Sequence, residues 1–224
     1  MKKFFCAILA VFLIALNAAV PILSAGMIIE FKPESSFSDM KNDYWALPYI
    51  VYMQEKNIIN GYPDGTFRPD VQVKVSEYLK MLCMAIWPDF KYVKSSPSSH
   101  WAQPYVDALD KFILTKNDYT TEKLNSVITR EEASKLICLF MMIYTSTWNA
   151  NGQLHGVTLE KEQEYISDFT DESLITDEKT RIYIDNCIRM GIINGFEDGT
   201  FRPFDGLTRA QASKILYTAL NYKG

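Results

Sequence analysis

Histidine is nearly missing from this chain of 224 residues, which has only His100 and His155. Neither has a cysteine or carboxylate neighbour at metal-ligand spacing, so a catalytic or structural metal is not expected. Cysteine is scarce as well: Cys6, Cys83, Cys138 and Cys187 contain no pair at zinc-site spacing. Cys6 lies inside an apolar run, and the other three fall within apolar helical patterns. An exported chain could pair two of them, but three buried free thiols are the expectation. A basic excess is also lacking. Lys and Arg total 23 against 27 Asp and Glu, a formal charge of −4. Nucleic acid is therefore excluded as a partner, and an anionic ligand must be held by a few focused groups rather than by the overall field. There is no Gly-rich phosphate loop and no nucleophile elbow. Paired acids such as Asp171-Glu172, or Glu160, Glu162 and Glu164, read as solvated faces rather than a glycosidase pair. Neither catalysis nor a cofactor is expected.

What is present begins at the N-terminus. Met1-Lys2-Lys3 precedes an apolar run from Phe4 to about Leu23, followed by Ser24-Ala25-Gly26. This is the pattern of a secretory signal over residues 1–26, with cleavage near Ala25 or Gly26. An uncleaved membrane anchor is the alternative, although Asn17 and Pro21 interrupt the run. Either way the remainder is expected outside the cytoplasmic membrane. Loss of Lys2 and Lys3 would take the formal charge from −4 to −6. The residues that remain suffice for one domain with a substantial core.

The strongest internal signal is a repeat. Residues 58–69 (IINGYPDGTFRP) return at 192–203 (IINGFEDGTFRP), with ten of twelve positions identical at an offset of 134. Such recurrence means the fold should be read one unit at a time. Unit one (37–90) has Phe37-Ser38-Asp39, then a stripe at Trp45, Tyr49 and Met53 that fits one helical face. Gly61 stands where a helix end favours a residue tolerant of positive φ, and Pro63-Asp64-Gly65 is turn chemistry. A second helix runs from Ser76-Glu77 to Ile86. Unit three (169–222) repeats the plan, with Phe169-Thr170-Asp171, Gly195, the turn Glu197-Asp198-Gly199 and a helix from Thr208-Arg209-Ala210-Gln211. Unit two (91–144) keeps the helices, at His100-Trp101-Ala102 and Thr129-Arg130-Glu131-Glu132, and loses the glycine loop. Residues 27–36 form a short N-terminal segment, and 145–168 a linker expected to be a surface excursion, longer than most connections. Nothing follows Asn221-Tyr222-Lys223-Gly224, so the three units are expected to be nearly the whole mature chain.

These residues resemble the S-layer homology domain, whose motif combines a Phe-x-Asp opening, a Trp-Ala helix start, a Gly-Tyr-x-Asp-Gly-x-Phe-x-Pro loop and a Thr-Arg-Ala-Glu helix start. The matches are Phe37, Asp39, Trp45, Ala46, Gly61, Tyr62, Asp64, Gly65, Phe67 and Pro69 in unit one, and Trp101, Ala102, Thr129, Arg130 and Glu132 in unit two. In unit three they are Phe169, Asp171, Gly195, Asp198, Gly199, Phe201, Pro203, Thr208, Arg209 and Ala210. The resemblance implies an all-α fold of three helix-loop-helix repeats, a single-chain pseudo-trimer around a central helical bundle with a groove between neighbours. It also implies a secreted, non-catalytic anchor at the cell wall or S-layer. Its partner would be the secondary cell-wall polysaccharide, a peptidoglycan-linked glycan often carrying a pyruvate ketal on N-acetylmannosamine. The alternative is a structural protein that docks other surface-layer proteins.

Thr129, Glu132, Thr208 and Gln211 fit capping boxes. Arg130 and Arg209 differ, because a cation one residue into a helix opposes the macrodipole. An anion bound by helix amides and the guanidinium fork would relieve that conflict; so would an internal carboxylate, and the bare sequence leaves both open. The resemblance points to ligand binding. Unit one has Lys74-Val75-Ser76-Glu77 at this place, so the groove that relies on Val75 should be weak or empty, leaving at most two good sites. Trp45 and Trp101 are expected as core anchors, with stacking on a sugar ring as a second role; unit three has Lys179 in that slot. Gly61 and Gly195 are backbone devices that could shape a groove wall. Asp39 and Asp171 either cap their first helices or accept from sugar hydroxyls. Arg68 and Arg202 are expected to brace their loops.

Overall fold

The computed structural model describes residues 36–91, 100–110, 115–144, 147–148, 154–155 and 169–223. The proposed signal, His155's side chain and most of the 145–168 linker lie outside the described residues. Among the described residues seven α-helices carry the fold: α1 (Leu47–Glu55), α2 (Val75–Ile86), α3 (Gln103–Leu109), α4 (Thr121–Asn125), α5 (Arg130–Tyr144), α6 (Glu178–Arg189) and α7 (Arg209–Leu220). The fold is all-α apart from a two-residue antiparallel pairing inside the linker, β1 (Thr147–Trp148) with β2 (Leu154–His155). Among the described residues no helix is long and apolar enough to cross a membrane.

Unit one contributes α1 and α2, unit two α3 and α5, and unit three α6 and α7, but the first helix of each packs on the closing helix of another unit: α1 on α7, α3 on α2 and α6 on α5. Each closing helix starts where an extended residue meets a helical one. Thr208 is extended and its hydroxyl accepts from Gln211 N at 3.2 Å, while Gln211 Oε1 accepts from Thr208 N at 2.9 Å, a complete capping box. The other two boxes are partial. Thr129 Oγ1 accepts from Glu132 N, but the Glu132 carboxylate takes Lys123 Nζ. In unit one lysine cannot accept, so only the return half forms, with Lys74 N donating to Glu77 Oε2 at 2.9 Å.

The three closing helices touch one another, and the strand-like residues before them close a ring. Val73 N donates to Leu207 O (2.8 Å), Leu207 N to Ile128 O (3.2 Å) and Ile128 N to Val73 O (3.0 Å). All three side chains are buried. Each unit thus supplies one donor and one acceptor, and none can satisfy its backbone alone. On the helices behind the ring, Tyr78 is fully buried where the other two units have Ala133 and Ala212.

Two expectations about local structure change. The buried stripe of α1 is Leu47, Ile50 and Met53, not one through Trp45. Trp45 and Trp101 each precede their helix by two residues, and are 51% and 42% exposed. Gly61 and Gly195 do not end a helix at positive φ. That position is taken by Asn57 (φ 56°) and Gly191 (φ 66°). Gly61 and Gly195 are needed for close approach instead, since a Cβ there would lie 2.2 Å from Phe37 Cε1 or 2.6 Å from Phe169 Cε1. Cys83, Cys138 and Cys187 are free and buried as expected, and desolvation pushes the Cys83 thiol up to about 12.

Candidate functional site

The two glycine loops are built alike from the same short contacts. Asp64 Oδ1 accepts from Thr66 N and Oγ1, and its Oδ2 from Arg68 Nη2 at 2.7 Å. Asp198, Thr200 and Arg202 repeat every bond. Hydrogen bonds from the threonine first, then from the arginine, hold both aspartates down to about 2. Arg68 and Arg202 have positive φ, 58° and 56°, and each lies 4.0 Å from the ring of Tyr62 or Phe196. They brace the loop. Asp39 and Asp171 neither cap a first helix nor line a cleft. Asp39 accepts from Phe67 N (2.8 Å) and Arg68 N (2.7 Å), and Asp171 does the same with Phe201 N and Arg202 N. These clamps satisfy the amides that the loop's left-handed residue leaves unpaired.

The arginines cross from one repeat to another. Arg209, from unit three, donates Nε to Phe67 O (2.9 Å) and Nη2 to Asn60 O (2.8 Å) in the loop of unit one. Arg130, from unit two, donates to Phe201 O (2.8 Å) and Asn194 O (2.9 Å) in the loop of unit three. Aromatic rings flank both guanidiniums: Phe67 and Tyr62 at 4.5 and 5.0 Å from Arg209, Phe196 and Phe201 at 4.6 and 4.8 Å from Arg130. Desolvation lowers both pKa values, yet arginine stays protonated. Neither forms an ion pair with a carboxylate among the described residues, and Nη1 of each has no protein hydrogen bond there. A charge buried against neutral carbonyls is only partly compensated.

One part of the expected anion site is overturned. The first-turn amides of both helices are already taken by a neighbouring repeat or by the cap. Arg209 N donates to Val71 O and Ala210 N to Pro69 O, while Arg130 N donates to Asp205 O and Glu131 N to Pro203 O. An anion can therefore meet the guanidinium but not the helix amides.

Two clefts stand over these guanidiniums. The first, about 200 Å³, is lined by Arg209, Asn60, Gly61, Tyr62, Glu77, Lys80 and Trp101 among others. The second, about 260 Å³, brings together Arg130, Asn194, Gly195, Gln211, Lys214 and Trp45. Each cleft thus draws its loop and lysine from one repeat, its tryptophan from the next and its arginine from the previous one in the ring. Six of the eight expected site residues meet here, three in each cleft. Lys80 and Lys214 were missed, though a signal existed: each lies three residues past the capping acid or amide, and so does Lys135. A third cleft, about 340 Å³, occupies the corresponding place beside unit two. It has Lys135, Glu132, Asp118 and Thr180, but no arginine, tryptophan or glycine.

The S-layer homology domain model matches residues 36–74 and 168–213. These two segments are S-layer homology domains. The matched segments hold both glycine loops and Arg209; the middle unit lies outside them. The chain is 26% identical to an amylopullulanase of Thermoanaerobacterium thermosulfurigenes over 87% of its own length and 10% of that protein. A cellulosome-anchoring protein of Acetivibrio thermocellus is 34% identical over 33% of this chain and 18% of that protein. The S-layer protein EA1 of Bacillus anthracis is 24% identical over 81% and 20%. The chain thus spans between a tenth and a fifth of the length of these relatives.

Proposed function

We propose that this protein is a non-catalytic cell-surface anchor whose first and second clefts hold an anionic secondary cell-wall polysaccharide. The observation that carries this reading is the guanidinium without a carboxylate partner, repeated twice with the same neighbours. Nη1 of Arg209 or Arg130 and the nearby Lys80 or Lys214 Nζ offer two cationic donors to a ketal carboxylate. The amides of Gly61 and Gly195, without hydrogen bonds among the described residues, can donate to a sugar oxygen. The half-exposed faces of Trp101 and Trp45 suit a pyranose ring. Asp39 and Asp171 act through the loop rather than by touching the sugar. The ring of hydrogen bonds supports a single-chain pseudo-trimer, with repeats 37–90, 91–144 and 169–222.

The test is retention on purified cell-wall sacculi. Retention should vanish when the secondary polysaccharide is stripped, and weaken when the ketal alone is removed by mild acid. Retention that survives stripping, or that requires a second surface protein, would replace this reading with protein docking.

A further inference from the structure

The two arginine clefts are copies with one difference of charge. In the first, the residue at the third helical position is Glu77; in the second it is Gln211. Both do the same structural work, accepting from the backbone N–H of Lys74 and Thr208 at 2.9 Å each. A single acceptor oxygen suffices for that task, and glutamine supplies it without charge. Glu77 spends one oxygen on the cap, and no basic side chain stands within ion-pair distance of it among the described residues. The remaining charge belongs to the cleft that also contains Arg209 and Lys80, and it is felt by the Arg209 guanidinium. The formal charge of the lining residues is thus +1 in the first cleft, from Arg209, Lys80 and Glu77, and +2 in the second, from Arg130 and Lys214. Asp205 and its counterpart Val71 accept from the arginine backbone N–H groups, and the Asp205 carboxylate is felt by the Arg130 guanidinium as Glu77 is by Arg209; the difference is that Glu77 lines its cleft, where a ligand would meet it, and Asp205 lines neither.

Resting on the anchoring function above, we propose that Glu77 is a specificity-determining residue: its carboxylate restrains the first cleft's affinity for carboxylated glycans, a restraint the second cleft lacks. One chain then presents two sites of different charge selectivity from one repeated scaffold. The second suits a strongly anionic sugar; the first tolerates one whose acidic group is weaker or absent.

The experiment titrates the full chain with the methyl glycoside of pyruvylated N-acetylmannosamine. The indole N–H resonance of Trp101 reports the first cleft and that of Trp45 the second. Glu77→Gln should tighten binding at Trp101 by on the order of threefold to tenfold, the effect of removing one like charge several ångströms away near a protein surface. Trp45 should be unaffected. Gln211→Glu should weaken binding at Trp45 by a similar factor. Both effects should shrink in high salt and disappear with the uncharged methyl glycoside of N-acetylmannosamine, whereas a merely structural role would act on both sugars alike. Because glutamine already caps α7, Glu77→Gln should fold, and an unchanged melting temperature checks it. If both resonances respond to the pyruvylated sugar but Glu77→Gln leaves Trp101's affinity unchanged, or changes it equally for the neutral sugar, the role of Glu77 is wrong and the anchoring function stands. If neither resonance responds, the anchoring function itself falls.

Discussion

The first and second clefts and the third are three versions of one joint, and the third shows what the other two depend on. In the intact joints the arginine of one repeat is bonded to the carbonyls of another repeat's glycine loop. In the third joint the arginine's place is held by Val75, fully buried. The loop that would face it is replaced by a short 3-10 turn, Lys116–Asp118, and by α4. Only the backbone bond survives, Val75 N donating to Ser126 O at 2.9 Å as Arg209 N does to Val71 O and Arg130 N to Asp205 O. Two departures that look unrelated in sequence, a missing arginine in unit one and a missing loop in unit two, are thus the two halves of a single interface. With no guanidinium to seat, the loop has no role, and with no loop carbonyls to meet it, a buried arginine would be costly. Glu131, which lines the cleft here, accepts from Thr176 N and Oγ1.

The largest effect expected from this comparison is at the third joint. Val75→Arg should destabilise the fold by about 3–5 kcal/mol, since it buries a charge without a partner. Chemical denaturation measures this, and a neutral outcome would mean that the loop and arginine are not coupled. Next comes Arg209→Met, which leaves the Phe67 and Asn60 carbonyls unpaired; each costs about 1–3 kcal/mol if it stays dry. The same change at Arg130 should cost a similar amount, and unequal losses would break the equivalence of the two joints. Gly195→Ala should cost about 1–3 kcal/mol by overpacking against Phe169, read from the melting temperature. Trp101→Ala and Trp45→Ala should leave stability within about 1 kcal/mol, since both rings are half-exposed. They should each reduce sacculus retention, whereas a substitution at Lys179, in the third joint, should not.

The smallest effect is on pH dependence. Asp64 and Asp198 have folded pKa values of about 2, below the ordinary carboxylate value. A depressed carboxylate favours the folded state above its unfolded pKa, and that contribution is lost as pH falls through the folded one. The glycine loops should therefore be pH-independent above about 4 and loosen between about 4 and 2. The Thr66 and Thr200 amide resonances would report this.

Much of this was legible in the sequence because it is local. The repeat offset, the helix starts at Ser76-Glu77, Thr129 and Thr208, and the bracing by Arg68 and Arg202 follow from short-range rules. That unit one has Val75 in the arginine's place follows from a four-residue pattern as well. What stayed hidden is tertiary. Asp39 reaches amides 28 residues away, and Arg209 reaches carbonyls 142 and 149 residues away; no periodicity encodes which loop faces which helix. The tryptophans were expected in the core because a hydrophobic stripe does not reveal that its first member precedes the helix and hangs over a cleft. The helix amides were expected to be free because a capping pattern does not reveal that another repeat's carbonyls already occupy them. Gly61 was misassigned for a related reason: a glycine needed for contact with Phe37 looks, in sequence, like one needed for positive φ.

The central claim is that an arginine lacking a carboxylate partner gives each intact cleft its hold on an acidic sugar. Calorimetric titration of the full chain with pyruvylated N-acetylmannosamine methyl glycoside, and then with its methyl ester, tests this most directly. The account predicts two equivalents of the acid per chain, with the ester bound at least about tenfold more weakly for want of the charged hydrogen bonds. Equal affinity for acid and ester, or three equivalents per chain, would contradict it.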